Sequence, residues 1–418
     1  MTTSRGLALL AAVSLTTIAH AQVMARRPYA PPTAPSTPAP DPGVAKGTGT
    51  PAGDAAAALA AGDLVRADLL YRADYQMGDR TAATLAARAR LALWQNKLIE
   101  AENLARDIDV QAPEAKIALQ VLATVASRRD KEMADNYHKE RGATATIGFL
   151  KSEPLPAVLA MVNSHAAGLI IDSGSDETVI SDSFARLLGV RMTKSAKAPL
   201  TTDKSRNVAP QTLVDHIDLG KIRVSSVPVT VSAPKHFATL TPPADGIMGM
   251  RFLARFRATI DYPHAQLLLE SRNTPFHPSA SAVAVPLWLI ADNDFYVEGA
   301  IGNAEPRMWR VDTGLAGVGV RLWHDRDLQK AVGTPAYTPQ GAQIIRSDRK
   351  AGSVGFKLAE LKIGEAEAFD VPAELAKTTP ASVTALPFKV GGVLGHEFFK
   401  RWSVTFDLDK MHLVLTQP

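Results

Sequence analysis

The stretch Gly168-Leu169-Ile170-Ile171-Asp172-Ser173-Gly174-Ser175 decides the organisation of this chain of 418 residues. Apolar residues run directly into an acid, a hydroxyl residue and a glycine, which indicates a strand that ends at a carboxylate and turns at once. A similar stretch, Met308-Trp309-Arg310-Val311-Asp312-Thr313-Gly314, follows later. Because a carboxylate at the end of a buried strand is costly to desolvate, two such acids in matched settings predict a pair that works together.

The two stretches belong to a longer internal repeat. Asp172 and Asp312 are 140 residues apart, and Asn163 and Asn303 share that spacing. Further on, the spacing becomes 146 residues and holds to the end of each copy, in the pairs Phe252 and Phe398, Phe256 and Trp402, Asp261 and Asp407, and Leu267 and Leu413. Short β-rich runs broken by Gly, Pro, Asn and Asp fill both copies. The sequence therefore predicts two mostly-β lobes, residues 144–272 and 282–418.

The region before the lobes has three parts with different composition. Arg5, an apolar run and the small residues of Ala19-His20-Ala21 predict a secretory signal peptide over residues 1–21. Residues 22–53 are rich in Pro, Ala, Gly and Thr and are expected to form a linker. We therefore expect the protein to be exported, either periplasmic or secreted, with no membrane span after cleavage of the signal.

Residues 54–141 have a helical composition and a second repeat. Residues 61–67 align with residues 95–101 at a spacing of 34, which places Leu64 on Leu98 and Ala67 on Ala101. A helix-turn-helix period of this length resembles the tetratricopeptide repeat, although a generic helical bundle is the alternative. Such a region is expected to bind a protein partner, gate the cleft or hold substrate.

Composition excludes several classes of function. The chain has no cysteine, which rules out disulfides, thiol catalysis and thiolate metal sites. Its net charge is +4 with the basic residues scattered, so no nucleic-acid partner is expected. His396-Glu397-Phe398-Phe399-Lys400 lacks the second His of a zinc-protease helix, and Asp407-Leu408-Asp409-Lys410 lacks the rest of a calcium loop. We expect neither a metal nor an organic cofactor.

The two acidic turns share one chemistry. Gly174 and Gly314 allow a tight turn after each acid, and the hydroxyls of Ser173 and Thr313 can fix the turn by hydrogen bonds. An apolar-apolar-Gly segment follows each acid at a similar distance, 77 residues in the first copy and 83 in the second. Single Asp residues at turns are commonly structural, whereas two in matched repeats favour a working pair.

This combination resembles the retropepsin-like, or retroviral-type, aspartic proteases. The matching segments are Asp172-Ser173-Gly174-Ser175 with Ala244-Asp245-Gly246-Ile247-Met248-Gly249, and Asp312-Thr313-Gly314 with Gly391-Gly392-Val393-Leu394-Gly395. The resemblance implies two acid-protease-like lobes that form a pseudo-twofold pair. With the helical repeat-like domain before them, the expected fold class is multidomain α plus β. The resemblance also implies that Asp172 and Asp312 are catalytic, and that Ser173, Gly174, Ser175, Thr313 and Gly314 support the catalytic loops.

The second copy departs from the family pattern at two places. Leu315 stands where the first copy has Ser175, and Gly319-Val320-Arg321 stands where it has Val179-Ile180-Ser181. The second lobe is therefore expected to be either active with a shifted acidity or a degenerate partner. Residues 201–211 and 337–351 are the candidates for flaps over a substrate.

The resemblance implies an exported aspartic endopeptidase that cleaves polypeptides bound in an extended form. One chain supplies both acids, so we expect an active monomer; pairing of single lobes from different chains is a further possibility. The competing hypothesis is a protease-like protein that has lost catalysis and binds peptides through its cleft and helical repeats.

Overall fold

A computed structural model of the protein describes residues 51–134, 144–190, 211–232, 244–291, 294–324 and 354–418. Its helices are α1 (Pro51–Ala61), α2 (Leu64–Gln76), α3 (Ala82–Trp94), α4 (Leu98–Arg106), α5 (Ala115–Ala134), α6 (Asp182–Leu187), α7 (Met250–Leu253), α8 (Ala381–Thr384) and α9 (His396–Phe399). Its strands are β1 (Thr144–Lys151), β2 (Ala157–Val162), β3 (His165–Ile171), β4 (Thr178–Ser181), β5 (Gln211–Leu219), β6 (Ile222–Ser232), β7 (Gly246–Met248), β8 (Phe256–Asp261), β9 (Gln266–Ser271), β10 (Ala282–Pro286), β11 (Trp288–Ala291), β12 (Asp294–Ile301), β13 (Arg307–Val311), β14 (Val320–Leu322), β15 (Val354–Ile363), β16 (Ala366–Leu375), β17 (Val390–Leu394), β18 (Ser403–Asp407) and β19 (His412–Thr416). The expected combination of an N-terminal helical region with mostly-β regions is confirmed.

Helices α1 to α5 form the N-terminal region. Helix α1 begins at Pro51, within residues expected from composition to be linker. Asp63 caps α2 by accepting a hydrogen bond from the Arg66 amide at 2.9 Å. Helices α2 and α4 begin at Leu64 and Leu98, the residues that the 34-residue spacing aligns. Whether these helices form tetratricopeptide-type pairs stays a prediction. No helix in the described ranges is both long and apolar enough to cross a bilayer.

The strands form two sheets in which the same set of pairings occurs twice. The larger has twelve strands in the order β10-β19-β18-β8-β9-β1-β2-β3-β7-β4-β6-β5, and the other has seven in the order β11-β12-β13-β17-β14-β16-β15. In the first sheet β3 pairs in parallel with β7, and β4 with β6. In the second sheet β13 pairs in parallel with β17, and β14 with β16. Strands that carry the two acidic turns therefore have equivalent neighbours.

The two sequence copies meet in the larger sheet through one strand of each, β8 and β18. Strand β8 pairs antiparallel with β18, with Thr259 opposite Thr405. Their hydroxyl oxygens lie 2.7 Å apart. These residues are 146 apart in sequence, the spacing found late in the repeat. Each copy thus contributes strands to a common sheet rather than closing entirely on itself.

The helical region packs against the second of these β regions. Arg128 of α5 donates to the Leu93 carbonyl at 2.7 Å and to the Leu289 carbonyl, which lies in β11, at 3.1 Å. Trp94 and Phe388 meet edge to face with ring centroids 5.4 Å apart. Other buried residues of this junction are Ala55, Leu59, Leu64, Ala67, Tyr71, Leu91, Trp288, Tyr296, Met308 and Val390. Burial of this apolar surface attaches the helices to the β structure.

Candidate active site

Each acidic turn begins where a buried strand ends beside a parallel neighbour. The Asp172 amide donates to the Met248 carbonyl at 3.1 Å, and the Asp312 amide donates to the Leu394 carbonyl at 3.0 Å. Within the turns, the Gly174 amide donates to Asp172 Oδ1 at 2.8 Å. The Gly314 amide donates to Asp312 Oδ1 at 3.1 Å. These amides orient both carboxylates in the same way and partly offset the cost of burying them.

The two turns are joined by reciprocal hydrogen bonds. The Ser173 amide donates to Thr313 Oγ1 at 2.9 Å, and the Thr313 amide donates to Ser173 Oγ at 3.0 Å. Both side chains are almost fully buried, with 1% and 0% of their surface exposed. Removing either hydroxyl would leave a buried amide without its acceptor. The pair of bonds therefore fixes the position of one turn relative to the other.

The glycine of each turn lies against the carboxyl group of the other. A Cβ atom at Gly174 would overlap the carboxyl group of Asp312, and a Cβ at Gly314 would overlap that of Asp172. Both positions thus require glycine because any side chain would occupy the space of the opposite carboxylate. The structure brings all the predicted members together: Asp172, Ser173, Gly174, Ser175, Asp312, Thr313 and Gly314.

Burial and mutual repulsion change the acidity of the two acids. Burial raises the pKa of Asp172 to about 7, and the negative charge of Asp312 contributes to the rise. Burial also raises the pKa of Asp312, while the nearby Arg310 opposes the rise. The Asp312 side chain keeps 18% of its surface exposed, so solvent reaches the pair. Two carboxyl groups in this setting hold a proton between them over a range of pH.

Arg310 was not singled out from the sequence, and it contacts both turns. Its Nη2 donates to the Gly174 carbonyl at 2.8 Å, and its Nη1 lies 3.5 Å from Asp312 Oδ2. Its Nε donates to Asp294 Oδ1 at 2.8 Å. The sequence offers only a weak signal for Arg310: an arginine two residues before the acid, between the apolar residues Trp309 and Val311.

Tyr262 is a second residue that sequence reasoning missed. It follows β8, is 8% exposed, and has its ring 5.3 Å from that of His396 and 6.3 Å from that of Phe149. Burial raises the pKa of its hydroxyl, and the negative charge of Asp172 adds to the effect. A neutral phenol therefore lies near enough to the carboxyl pair to interact with its charge.

The departures of the second copy have structural explanations. Ser175 Oγ donates to the Glu177 carbonyl at 3.0 Å, so its side chain supports the turn and not a carboxylate. Leu315 therefore takes the place of a side chain that makes no hydrogen bond to the acid in the first copy. The backbone hydrogen bond at this position is the same in both copies. The Ser175 carbonyl accepts from the Met250 amide at 2.8 Å, and the Leu315 carbonyl accepts from the His396 amide at 2.9 Å. Arg321 forms an ion pair with the buried Glu374 of β16.

The apolar-apolar-Gly segments pass directly beside the turns. A Cβ at Gly249 would come within 2.7 Å of the Ser175 carbonyl oxygen, and one at Gly395 within 2.9 Å of the Leu315 carbonyl oxygen. Asp261 accepts hydrogen bonds from Ser403 Oγ at 2.7 Å and Gln266 Nε2 at 2.9 Å, which is a structural role. Both flap candidates lie outside the described residues, except that Gln211 begins β5.

One group of possible metal ligands occurs within the described ranges. Glu153, His396 and Glu397 have ligand atoms within 4.8 Å of one another. The Lys400 ammonium lies 2.5 Å from Glu397 and 3.7 Å from Glu153. Because Lys400 already supplies a positive charge to both carboxylates, this group is explained as an ion-pair network.

Comparison with known proteins supports an aspartic protease relationship for part of the chain. Residues 158–252 match the family model described as aspartyl protease, which confirms the expected resemblance for that segment. No protein with a curated description matches the sequence. The second copy and the helical region lie outside the segment that the family model matches.

Solved structures with detectable similarity include two aspartic proteases. A retropepsin-like aspartic protease from Rickettsia conorii is 19% identical and matches over 32% of this chain and 96% of that chain, with a TM-score of 0.23. An aspartic proteinase from Irpex lacteus is 13% identical over 66% of this chain and 97% of that chain, with a TM-score of 0.40. Basic 7S globulin from soybean is 11% identical over 65% and 94%, with a TM-score of 0.38. TM-scores this low carry no information about function, so the two turns are the basis for a functional proposal.

Proposed function

We propose that this chain is an aspartic endopeptidase in which Asp172 and Asp312 act together on a water molecule. The observation that carries the proposal is the reciprocal hydrogen bonding of Ser173 and Thr313, which sets each carboxyl group against the opposite glycine. The equivalent pairings of the two sheets support an origin as two lobes in a pseudo-twofold pair. Each lobe supplies one acid, so a single chain contains a complete pair.

The chemistry follows from two acids that share one proton. The ionised carboxylate accepts a proton from water while the water oxygen attacks the scissile carbonyl carbon. The protonated carboxyl donates its proton to the carbonyl oxygen, giving a tetrahedral diol. The C–N bond then breaks as the first acid returns its proton to the leaving amine, and a diol proton restores the second acid. The raised pKa of Asp172, to about 7, is consistent with an acid that keeps its proton in mildly acidic solution.

The substrate class and setting are part of the same proposal. An extended polypeptide would lie between the lobes and pair its backbone with strand edges. The helical region, attached to β11 through Arg128, would bind a protein partner or hold substrate near the cleft. The N-terminal pattern with Arg5 and Ala19-His20-Ala21 supports export to the periplasm or outside the cell.

Peptide cleavage by the purified chain tests the proposal. An unfolded polypeptide is incubated from pH 3 to 8 with wild type, Asp172→Asn and Asp312→Asn, and new termini are identified by mass spectrometry. Each variant should lose about 10²–10⁴-fold in rate because one proton-transfer group is gone. Asp215→Asn, an exposed acid in β5, is the control and should cleave normally.

Two results would contradict the proposal. Unchanged cleavage by Asp172→Asn would show that the pair does not carry the reaction. Absence of cleavage by wild type across the whole pH range, with retained binding of extended peptides, would favour a peptide-binding scaffold. Sedimentation of the active species distinguishes a monomer from lobes that pair between chains.

A further inference from the structure

Arg310 places a positive charge beside one acid of the pair. Three contacts hold its guanidinium: Nε to Asp294 Oδ1 at 2.8 Å, Nη2 to the Gly174 carbonyl at 2.8 Å, and Nη1 to Asp312 Oδ2 at 3.5 Å. The side chain is 26% exposed. With contacts to its own turn and to the opposite turn, the guanidinium has little freedom to move away from Asp312.

The first copy has no equivalent cation on its strand. The position 140 residues before Arg310 is Ile170, which packs in an apolar cluster with Leu155, Ala157 and Ala244. The two turns make the same hydrogen bonds through their backbone and hydroxyl groups. The strand residue two positions before the acid, however, is the uncharged Ile170 in one copy and the cationic Arg310 in the other. The environment of the pair is therefore asymmetric.

We propose that Arg310 is a positioning residue that keeps Asp312 ionised and leaves the shared proton on Asp172. This assignment rests on the proposed peptidase function. Asp312 then accepts the proton of the attacking water and later delivers it to the leaving amine. Asp172 donates its proton to the carbonyl oxygen and recovers one from the diol. Arg310 touches neither water nor substrate in this scheme and acts mainly through Asp312, the acid that its guanidinium contacts.

Neighbouring elements bring further charged and titratable groups near Asp312. Asp294 on β12 shares the guanidinium and weakens its effect on Asp312. Arg321 on β14 acts in the same direction as Arg310 and is partly neutralised by its ion pair. Burial keeps the hydroxyls of Tyr262 and Tyr296 neutral by raising their pKa. The net local charge on the Asp312 side is thus set mainly by the balance between Arg310 and Asp294.

The pH profile of kcat/KM for Arg310→Met tests the assignment. The acid limb reports the first ionisation of the pair, and the basic limb reports loss of the remaining proton. Without the cation, ionisation of Asp312 becomes harder, so the acid limb should move upward by about 1–3 pH units. The basic limb should move less, because it belongs to Asp172. A peptide substrate without titrating side chains keeps its own ionisation out of the profile.

Asp294→Asn gives a second test with the opposite sign. Asn can still accept the hydrogen bond from Arg310 Nε, but it no longer neutralises the guanidinium. The acid limb should therefore move downward. If Arg310→Met does not fold, Asp294→Asn alone tests the assignment. A downward shift of its acid limb supports the assignment, and an unchanged acid limb overturns it. Arg223→Met removes an exposed arginine on β6 and should leave both limbs in place.

The outcomes separate this inference from the proposed function. Loss of cleavage in Asp172→Asn together with an unmoved acid limb in Arg310→Met would keep the peptidase and reject the role of Arg310. A larger shift of the basic limb than of the acid limb in Arg310→Met would place the proton on Asp312 and also reject it. Full cleavage by Asp172→Asn would reject the peptidase mechanism itself.

Discussion

Replacing Glu298 with Gln should stabilise the protein at alkaline pH and have a small effect in acid. Glu298 lies in β12, and its Oε2 is buried with no hydrogen-bond partner among the residues that the structure describes. Burial raises the pKa of its carboxyl to about 7, and the negative charge of Asp63 at the start of α2 adds to the rise. Ionised Glu298 therefore opposes the packing of the helical region against the β structure.

The size of the effect follows from linkage between protonation and folding. The pKa rises from 4.5 to about 7 on folding, so the folded protein binds this proton more tightly than the unfolded chain. Stability is therefore lost as pH rises through this interval, and nothing is lost below it. The loss comes to about 1 kcal/mol at pH 5 and about 3 kcal/mol at pH 8. The Glu298→Gln variant avoids this loss, because its side-chain amide has the same shape and stays neutral at every pH.

Urea unfolding of wild type and Glu298→Gln at pH 5 and pH 8, followed by tryptophan fluorescence, measures the difference. The free energy of unfolding of the variant should exceed that of wild type by about 2 kcal/mol more at pH 8 than at pH 5. Glu305→Gln, at an exposed residue in the turn after β12, is the charge control and should show no such difference. A stabilisation of Glu298→Gln that is the same at both pH values would refute the reasoning.

Further predictions concern the turns and the helical attachment. Gly174→Ala should lower kcat at least about 100-fold, because its Cβ displaces the Asp312 carboxyl, whereas Gly148→Ala, with open space around its Cβ, should retain wild-type kcat. Thr313→Ala should lower the free energy of unfolding by about 1–3 kcal/mol, measured in urea, since a buried amide of the other turn loses its acceptor. Arg128→Met removes donors from two buried carbonyls and should make α3 exchange amide hydrogens faster, as mass spectrometry would show.

The parts of the site that are local in sequence could be predicted. An acid followed by a hydroxyl residue and glycine at the end of an apolar strand specifies a turn through short-range geometry alone. The 140-residue spacing then indicated that Asp172 and Asp312 form a pair. Likewise, helical composition predicted a helical region over residues 54–141, and α1 to α5 lie between Pro51 and Ala134. These features need no knowledge of which strands become neighbours.

The parts that depend on long-range pairing could not be predicted. Arg310 reaches Gly174 only because the two turns meet. Tyr262 interacts with the carboxyl pair only because folding brings the residue after β8 close to both turns. Glu298 is half-buried within reach of the charge of Asp63, the N-cap of α2, and no periodicity in either segment reveals that proximity. Patterns in a single sequence do not specify such contacts, because they reflect only the secondary structure of the segment in which each residue lies.

The asymmetry between the two copies lies at a different place from the one the sequence suggested. Leu315 and Arg321 made the second copy look impaired, but Leu315 keeps the turn backbone and Arg321 pairs with Glu374. What both turns need is an acid, a hydroxyl and a glycine, and both retain all three. The strand residue two positions before each acid does not form the turn, so it can differ between the two copies. Ile170 in one copy and Arg310 in the other give two similar carboxyl groups different acidities, and a pair with different acidities has a defined acid and a defined base.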